Sequence, residues 1–366
     1  MIKYLGSKRT LIPVLGAIAR AVEARSALDL FSGTTRVSQE FKKSGIEVTA
    51  VDSGTYAHVL AQCYIATDAS SIDPDELRET LALLSALPGK RGYFTEVFCE
   101  QSRFFQPKNG MRVDAIRDYL EENLRTSPLY PVLLTSLMLA ADRVDSTTGV
   151  QMAYLKQWAP RAHNDLELRP PELIPGVGHA LLGDALEIVD AVEPLDLAYL
   201  DPPYNQHRYF TNYHIWETLI RWDQPEYYGV ACKRIDSRDP STKSQFNLKR
   251  EMPKALHSVV SRVRAETVVL SYNNESWIAA GELRDWLYEA GHERVELLDF
   301  DSKRYVGAQI GIFNPSGEKV GKVSHLRNKE HVLIAGPTAK VQSAVDAVAA
   351  RRPEDSQLGF DLAAGA

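Results

Sequence analysis

Residues 196–204 read Asp-Leu-Ala-Tyr-Leu-Asp-Pro-Pro-Tyr. An apolar run of strand length ends in an acid, two prolines and an aromatic ring. Proline lacks an N–H donor and holds φ at about −65°, so Leu200 to Tyr204 must leave the sheet as a stiff, extended turn. Such a turn gathers the Asp201 carboxylate, the Pro202 carbonyl and the Tyr204 ring around one small space. A planar base bearing an exocyclic amine suits that space. The two oxygens accept the amine hydrogens while the ring stacks on the base face. The competing reading is an ordinary strand-end turn with a buried tyrosine, and the rest of the chain has to decide between them.

A second strand-to-turn passage lies at 26–33, Ser-Ala-Leu-Asp-Leu-Phe-Ser-Gly, followed by the helix-like stretch Arg36–Ser44. A glycine after a strand and before a helix lets a ligand approach the backbone closely. The next strand candidate, Glu47–Asp52, ends in an acid placed to accept the two ribose hydroxyls of a nucleoside. Alone this region signals a nucleotide cofactor only weakly, because similar turns bind NAD and Thr35 stands where a dinucleotide fold would want glycine. Together with the turn at Asp201 it favours S-adenosylmethionine.

On these residues the chain resembles the D12 class of DNA N6-adenine methyltransferases, the group of the Dam-like and FokI-type enzymes. Lys3-Tyr4-Leu5-Gly6-Ser7-Lys8-Arg9 resembles the N-terminal block, Asp29–Gly33 the cofactor turn, Asp52 the ribose acid and Asp201–Tyr204 the catalytic turn. Weaker matches are Gly183-Asp184, Leu270–Asn273 and His331–Ala335, and residues 205–218 and 141–156 resemble the FokI-type branch in particular. The departure is Thr35, where many members carry a second glycine. The resemblance implies an α/β fold: a Rossmann-like, doubly wound mixed sheet of the class I S-adenosylmethionine-dependent methyltransferases, with an inserted helical target-recognition domain. It implies cofactor binding by Tyr4, Lys8, Asp29, Phe31, Gly33, Asp52 and Asp184, with Tyr4 and Lys8 lining the methionine end. Asp184 would contact the cofactor's adenine or support the turn. Asp201, Pro202 and Tyr204 would carry catalysis.

Composition agrees. A chain of 366 residues, 44% hydrophobic and 25% charged, reads as globular with one large or two modest domains. Three cysteines, at 63, 99 and 232, lack the paired spacing of a disulfide scaffold or zinc module. No metal site is expected. The polar Met1–Thr10 shows no charged-then-apolar leader pattern, and the longest near-apolar stretch, Pro128–Ala141, is shorter than a membrane span. A cytoplasmic protein without membrane contact is the expectation.

The net charge of −6 weighs mildly against nucleic acid, but its distribution matters more. Between 233 and 264 stand nine basic residues against three acidic ones. Coming directly after the catalytic turn, this run is expected to contact DNA phosphates, with Lys249, Arg250 and Lys254 as candidates. Double-stranded DNA is the expected partner, with a cognate restriction endonuclease as a possible second.

Along the chain, an apolar helix near Leu11–Ala24 precedes a βαβ unit in Ser26–Tyr64. Amphipathic helical runs follow near Pro74–Ala86, Tyr93–Phe104, Val113–Leu124 and Val132–Ala141, separated by Pro88-Gly89, Pro107–Gly110 and Ser127-Pro128. A second set of strands is expected at Ala180–Leu182, Leu195–Leu200, Thr267–Ser271, Val295–Asp299 and Val332–Ile334. Residues 1–69 and 179–338 then form the catalytic domain, and 70–178 a helical target-recognition insertion. Residues 339–366, rich in alanine, glycine and charge, form an expected disordered tail. Within the insertion, Arg103, Lys108, Asn109, Arg112, Arg143, Gln151 and Lys156 carry the chemistry to read base edges or phosphates.

Two other readings use much the same residues: an RNA amino-group methyltransferase and a non-catalytic, cofactor-binding DNA-recognition subunit. The N-terminal block and long insertion favour DNA over RNA, and the intact Asp201 turn favours an enzyme.

Overall fold

The computed structural model describes residues 2–4, 8, 10–203, 206, 208–273, 276–303 and 327–351. Nine strands are described: β1 (Ser26–Asp29), β2 (Glu47–Asp52), β3 (Gly178–Leu182), β4 (Leu195–Leu200), β5 (Tyr227–Tyr228), β6 (Lys233–Arg234), β7 (Ala265–Asn273), β8 (Arg294–Lys303) and β9 (Arg327–Gly336). Seven form one sheet in the order β3-β2-β1-β4-β7-β9-β8, and β5 pairs with β6 in a short hairpin. The pairs β2/β3, β1/β4 and β4/β7 are parallel; β7/β9 and β8/β9 are antiparallel. This is the expected mixed, doubly wound, Rossmann-like sheet. The strand order reverses between β1 and β4, the place where such sheets bind ligands at the strands' carboxyl ends. Leu197 to Leu200 in β4 and Thr267 to Asn273 in β7 are all buried, as central strands covered on both faces require.

Two compact units make up the chain: Met1–Gly6, Ser32–Asp184 and His207–Ser244 in the first, and Ser7–Phe31, Ala185–Gln206 and Gln245–Ala366 in the second. The stretch 70–178 therefore does not stand apart as the expected insertion. Its helices share a core with the elements flanking it: Phe94, Phe98, Phe104, Phe105, Leu133 and Leu137 pack in one cluster with Tyr56, Leu60, Tyr213, Trp216 and Leu219. In the second unit the Ile12–Ala21 helix packs against the Thr338–Ala349 helix.

That last helix corrects the expected tail. Val341, Ala344 and Val348 are buried along one face, and alanine is the best helix former. The alanine-rich composition read as disorder is the composition of an amphipathic helix. Residues 352–366 lie outside the described residues. Pro107 also departs from expectation: it opens the Pro107–Asn123 helix, where its missing N–H costs nothing. Gly110 belongs inside that helix, because the place of a Cβ is filled by Cys99 Sγ and the Thr95 backbone.

No helix among the described residues is long and apolar enough to cross a membrane. All three cysteines are free and buried.

Candidate active site

In the second unit, β4 ends at Leu200 and the chain turns through Asp201, the buried Pro202 and Pro203. Lys8 Nζ lies 3.2 Å from Asp201 Oδ1 and 2.8 Å from Glu330 Oε2. The side chains of Lys8, Asp201 and Glu330 are 5%, 17% and 12% exposed. Glu330 accepts a further hydrogen bond from Asn273 Nδ2 at 3.0 Å, and the two residues are register partners across β7 and β9. Burial pushes the Asp201 carboxyl up to about 6; Lys8 pulls it down and Glu330 adds to the rise. Below this cluster the Tyr199 hydroxyl donates to Ser271 Oγ at 3.0 Å. Asp29 ends β1 with 1% exposure, and Phe31 packs edge-on against Phe246, ring centres 5.0 Å apart. Tyr204 lies outside the described residues.

The resemblance places Lys8 at the cofactor's methionine end; in the structure its ammonium lies between two carboxylates. A buried ammonium requires such partners, since an unpaired charge at that depth is costly. Glu330, the second acid, was not singled out from the sequence. Its partner Lys8 stands 322 residues away, and the β7/β9 register sets Glu330 opposite Asn273.

In the first unit, Gly33 follows β1 with φ +48°, in the left-handed region. Its N–H donates to Asp52 Oδ2 at 2.8 Å, while Gly54 N–H donates to Asp52 Oδ1 at 2.8 Å. Burial raises the Asp52 carboxyl and these backbone donors oppose the rise. A Cβ on Gly33 would meet the Tyr4 ring at 3.1 Å. Tyr4 itself stacks on Tyr213 at 4.9 Å and on Tyr209 at 5.4 Å. Thr35 also adopts a left-handed conformation, with φ +59°. Its hydroxyl donates to the Thr34 carbonyl at 2.7 Å and accepts from Gln39 Nε2 at 2.9 Å. Threonine here takes the backbone shape a second glycine would supply, at a cost of roughly 1–2 kcal/mol.

A residue missed in the sequence supports this turn. Glu217, fully buried on the His214–Arg221 helix, accepts from Thr55 N–H at 2.8 Å and from the Thr55 hydroxyl. Thr55 opens the helix directly after the Asp52 loop, so Glu217 satisfies an N–H that the helix leaves open. Arg221 Nε, 3.1 Å away, compensates the buried charge. Asp184 is half-buried beyond β3, and the Gly183 N–H preceding it donates to the Asp52 carbonyl at 3.1 Å.

The basic run is divided between the two units, and part of it is spent on internal pairs. Residues 233–244 belong to the first unit and 245–264 to the second. Arg234 is buried and clamped by Asp223 at 2.6 Å and Asp236 at 2.7 Å. Arg262 donates to Asp190 and Arg264 to the Val192 carbonyl at 2.6 Å. Lys249, Arg250 and Lys254 are exposed around the start of the Met252–Arg262 helix. Of the candidate readers in 70–178, three are spent on internal structure. Asn109 bridges the Asn164 carbonyl and the Leu166 N–H, each at 2.9 Å. Arg112 donates to the Ser85 carbonyl at 2.8 Å, in the last turn of the Pro74–Ala86 helix. Gln151 accepts from Ile215 N–H at 2.8 Å. Arg103 lies 4.8 Å over the Trp158 ring, Lys108 pairs with Asp165, Arg143 donates to the Glu167 carbonyl, and Lys156 is exposed.

The glycine turn, the acid ending β2 and the Asp-Pro-Pro turn ending β4 on this sheet define a Rossmann-like methyltransferase. Residues 4–285 match the model of the D12 class N6 adenine-specific DNA methyltransferases, and the chain belongs to that family. It is similar to the type II methyltransferase M.NlaIII of Neisseria lactamica, with 28% identity covering 89% of this chain and 99% of that protein. It is 29% identical to the modification methylase StsI of Streptococcus sanguinis, over 78% of this chain and 46% of that one. Against the type II methyltransferase M.FokI of Planomicrobium okeanokoites it is 28% identical, over 79% of this chain and 47% of that one. The chain thus spans nearly all of the first relative and about half of the other two.

Proposed function

We propose that this chain is a site-specific methyltransferase that moves the methyl group of S-adenosylmethionine to N6 of an adenine flipped out of duplex DNA. The observation that carries the reading is the Asp201 carboxylate, paired with a buried ammonium at the carboxyl end of β4. Adenine N6 is a poor nucleophile because its lone pair is delocalised into the ring. Asp201 and the Pro202 carbonyl accept its two hydrogens, fix the amine and favour a more tetrahedral nitrogen, so catalysis comes from positioning and electrostatics. Because the amine is inaccessible inside a duplex, the base leaves the stack. Tyr204 is assigned to stack on it, worth about 1–3 kcal/mol.

The residues present fit the cofactor. Ser32 Oγ is buried beside the Gly33 turn with no hydrogen-bond partner among the described residues, and Gly33 keeps clear the space a Cβ would fill. Tyr4, Lys8, Gly33, Asp52 and Asp184, with Asp29 and Phe31, would hold S-adenosylmethionine, which supplies an electrophilic sulfonium methyl when bound. Asp52 would accept from the ribose hydroxyls. Lys249, Arg250 and Lys254 are assigned to phosphate contact, and a cognate restriction endonuclease is proposed to cut the same sequence when it is unmethylated.

The test is methyl transfer from isotope-labelled S-adenosylmethionine to unmethylated genomic duplex DNA, with ribosomal RNA alongside. Mass spectrometry of the digested product identifies the base. N6-methyladenine from DNA supports the reading; label in RNA alone rejects it.

A further inference from the structure

Two acids share the ammonium of Lys8, and only Asp201 stands on the catalytic turn. The second, Glu330, has both carboxylate oxygens engaged: Oε2 by Lys8 Nζ at 2.8 Å and Oε1 by Asn273 Nδ2 at 3.0 Å. It sits inside a strand paired on both sides, opposite Asn273 of β7 and Phe300 of β8. Electrostatically this acid works against Asp201. An extra negative charge in a desolvated cluster favours the protonated form of a neighbouring carboxyl. What it offers in return is a fixed anchor. A lysine has four rotatable bonds and a compact charge, and one salt bridge does not hold it in a single rotamer.

We propose that Glu330, braced by Asn273, is a positioning residue for methyl transfer: it holds Lys8 against Asp201 so that Asp201 presents an ionised acceptor to the substrate amine. The inference rests on the reading of Asp201 as the amine acceptor. Among the described residues, few charged and titratable groups surround the cluster. Tyr199 of β4 interacts through space with Asp201 and Lys8, and Asp29 of β1 interacts with Tyr199, whose hydroxyl donates to Ser271 of β7. His331, next to Glu330 on β9, takes Asp299 as partner at 2.6 Å.

Two substitutions separate anchoring from charge, and they have opposite signs. Glu330→Ala removes the anchor, so Lys8 is released from Asp201. Glu330→Gln removes the charge but keeps a carbonyl oxygen for Lys8, and the Asn273 amide can turn its own oxygen to the new NH2. The experiment measures kcat and KM for labelled methyl transfer to unmethylated duplex DNA from about pH 5 to about pH 8.5, with Asp201→Ala as control. Glu330→Ala is expected to lower kcat on the order of tenfold near neutral pH and to move the acid limb to higher pH. KM for S-adenosylmethionine should stay within about twofold of wild type. Glu330→Gln is expected to keep most of kcat and move the acid limb to lower pH. Acid limbs displaced in the same direction, undisplaced limbs, or a loss confined to KM would overturn the proposal. Should the alanine variant fail to fold, Asn273→Ala, which removes the brace on Glu330 but keeps its charge, is expected to lower kcat and move the acid limb to higher pH, and an unmoved limb there overturns the proposal. A wild-type chain that labels no adenine overturns the functional reading and the inference with it. A wild type that does so, loses it in Asp201→Ala and ignores both Glu330 variants overturns the inference only.

Discussion

The Lys8 ammonium and the Asp201 carboxylate lie 3.2 Å apart, both largely withdrawn from solvent. Burial drives Asp201 toward its neutral form and Lys8 opposes it, leaving the carboxyl at about 6. The amine acceptor must be ionised, so methyl transfer should fall as pH drops through that value. In Lys8→Met, Asp201 and Glu330 face each other without a cation and the Asp201 carboxyl rises further. Activity at neutral pH should drop at least about tenfold and recover as pH is raised. A pH–rate profile checks this, and a loss that no alkaline pH restores would contradict it.

Gly33 has a left-handed backbone and lies under the Tyr4 ring. Gly33→Ala strains the turn and displaces the ring. Equilibrium titration should show S-adenosylmethionine binding weakened on the order of tenfold, with the folded state retained. Unchanged affinity would remove the turn from the cofactor site.

Glu217 ties the Thr55 N–H and hydroxyl from the far side of the sequence, 162 residues away. Glu217→Ala leaves that N–H without its acceptor and Arg221 with Asp236, 3.6 Å away, as its remaining counter-charge. Urea denaturation should show a loss of about 2 kcal/mol, accompanied by a raised KM for the cofactor through the adjoining Asp52 loop. Loss of stability with KM unchanged would confine Glu217 to a structural role.

His214 is fully buried, with Nε2 on the Gln151 carbonyl at 2.9 Å, and burial lowers its pKa to about 3. Its folded value lies below the unfolded one of about 6.5, so between those two values only the unfolded chain takes up the proton. Its contribution to stability is therefore complete above that window and is lost as pH falls through it. Denaturation at two pH values should show the first unit weakening in acid, and His214→Gln should flatten that dependence. An equally steep dependence in the variant would show that other groups set it.

The strands and the chemistry of their ends were legible because both are local. Leu197–Leu200 is a continuous apolar run closed by acid and prolines, and Pro74–Ala86 carries its own N-cap, Asp73, with Pro74 at the first position. What escaped was set by distance or by mixed signals. The Met252–Arg262 helix hid in a stretch read for its charge, and Thr338–Ala349 in one read for its alanine. Glu330 and Glu217 look like ordinary acids until the fold brings them, across 322 and 162 residues, to Lys8 and Thr55. Asn109, Arg112 and Gln151 show the reverse: polar residues that suited base reading are consumed by backbone groups of their own unit.

The most direct test of the central claim is single-turnover methyl transfer by Asp201→Ala, with duplex DNA and labelled S-adenosylmethionine at saturation and DNA binding measured in parallel. The account predicts that N6-methyladenine formation falls at least about a thousandfold while affinity for DNA stays within a few-fold of wild type. Near-normal turnover in that variant would show that Asp201 does not hold the amine.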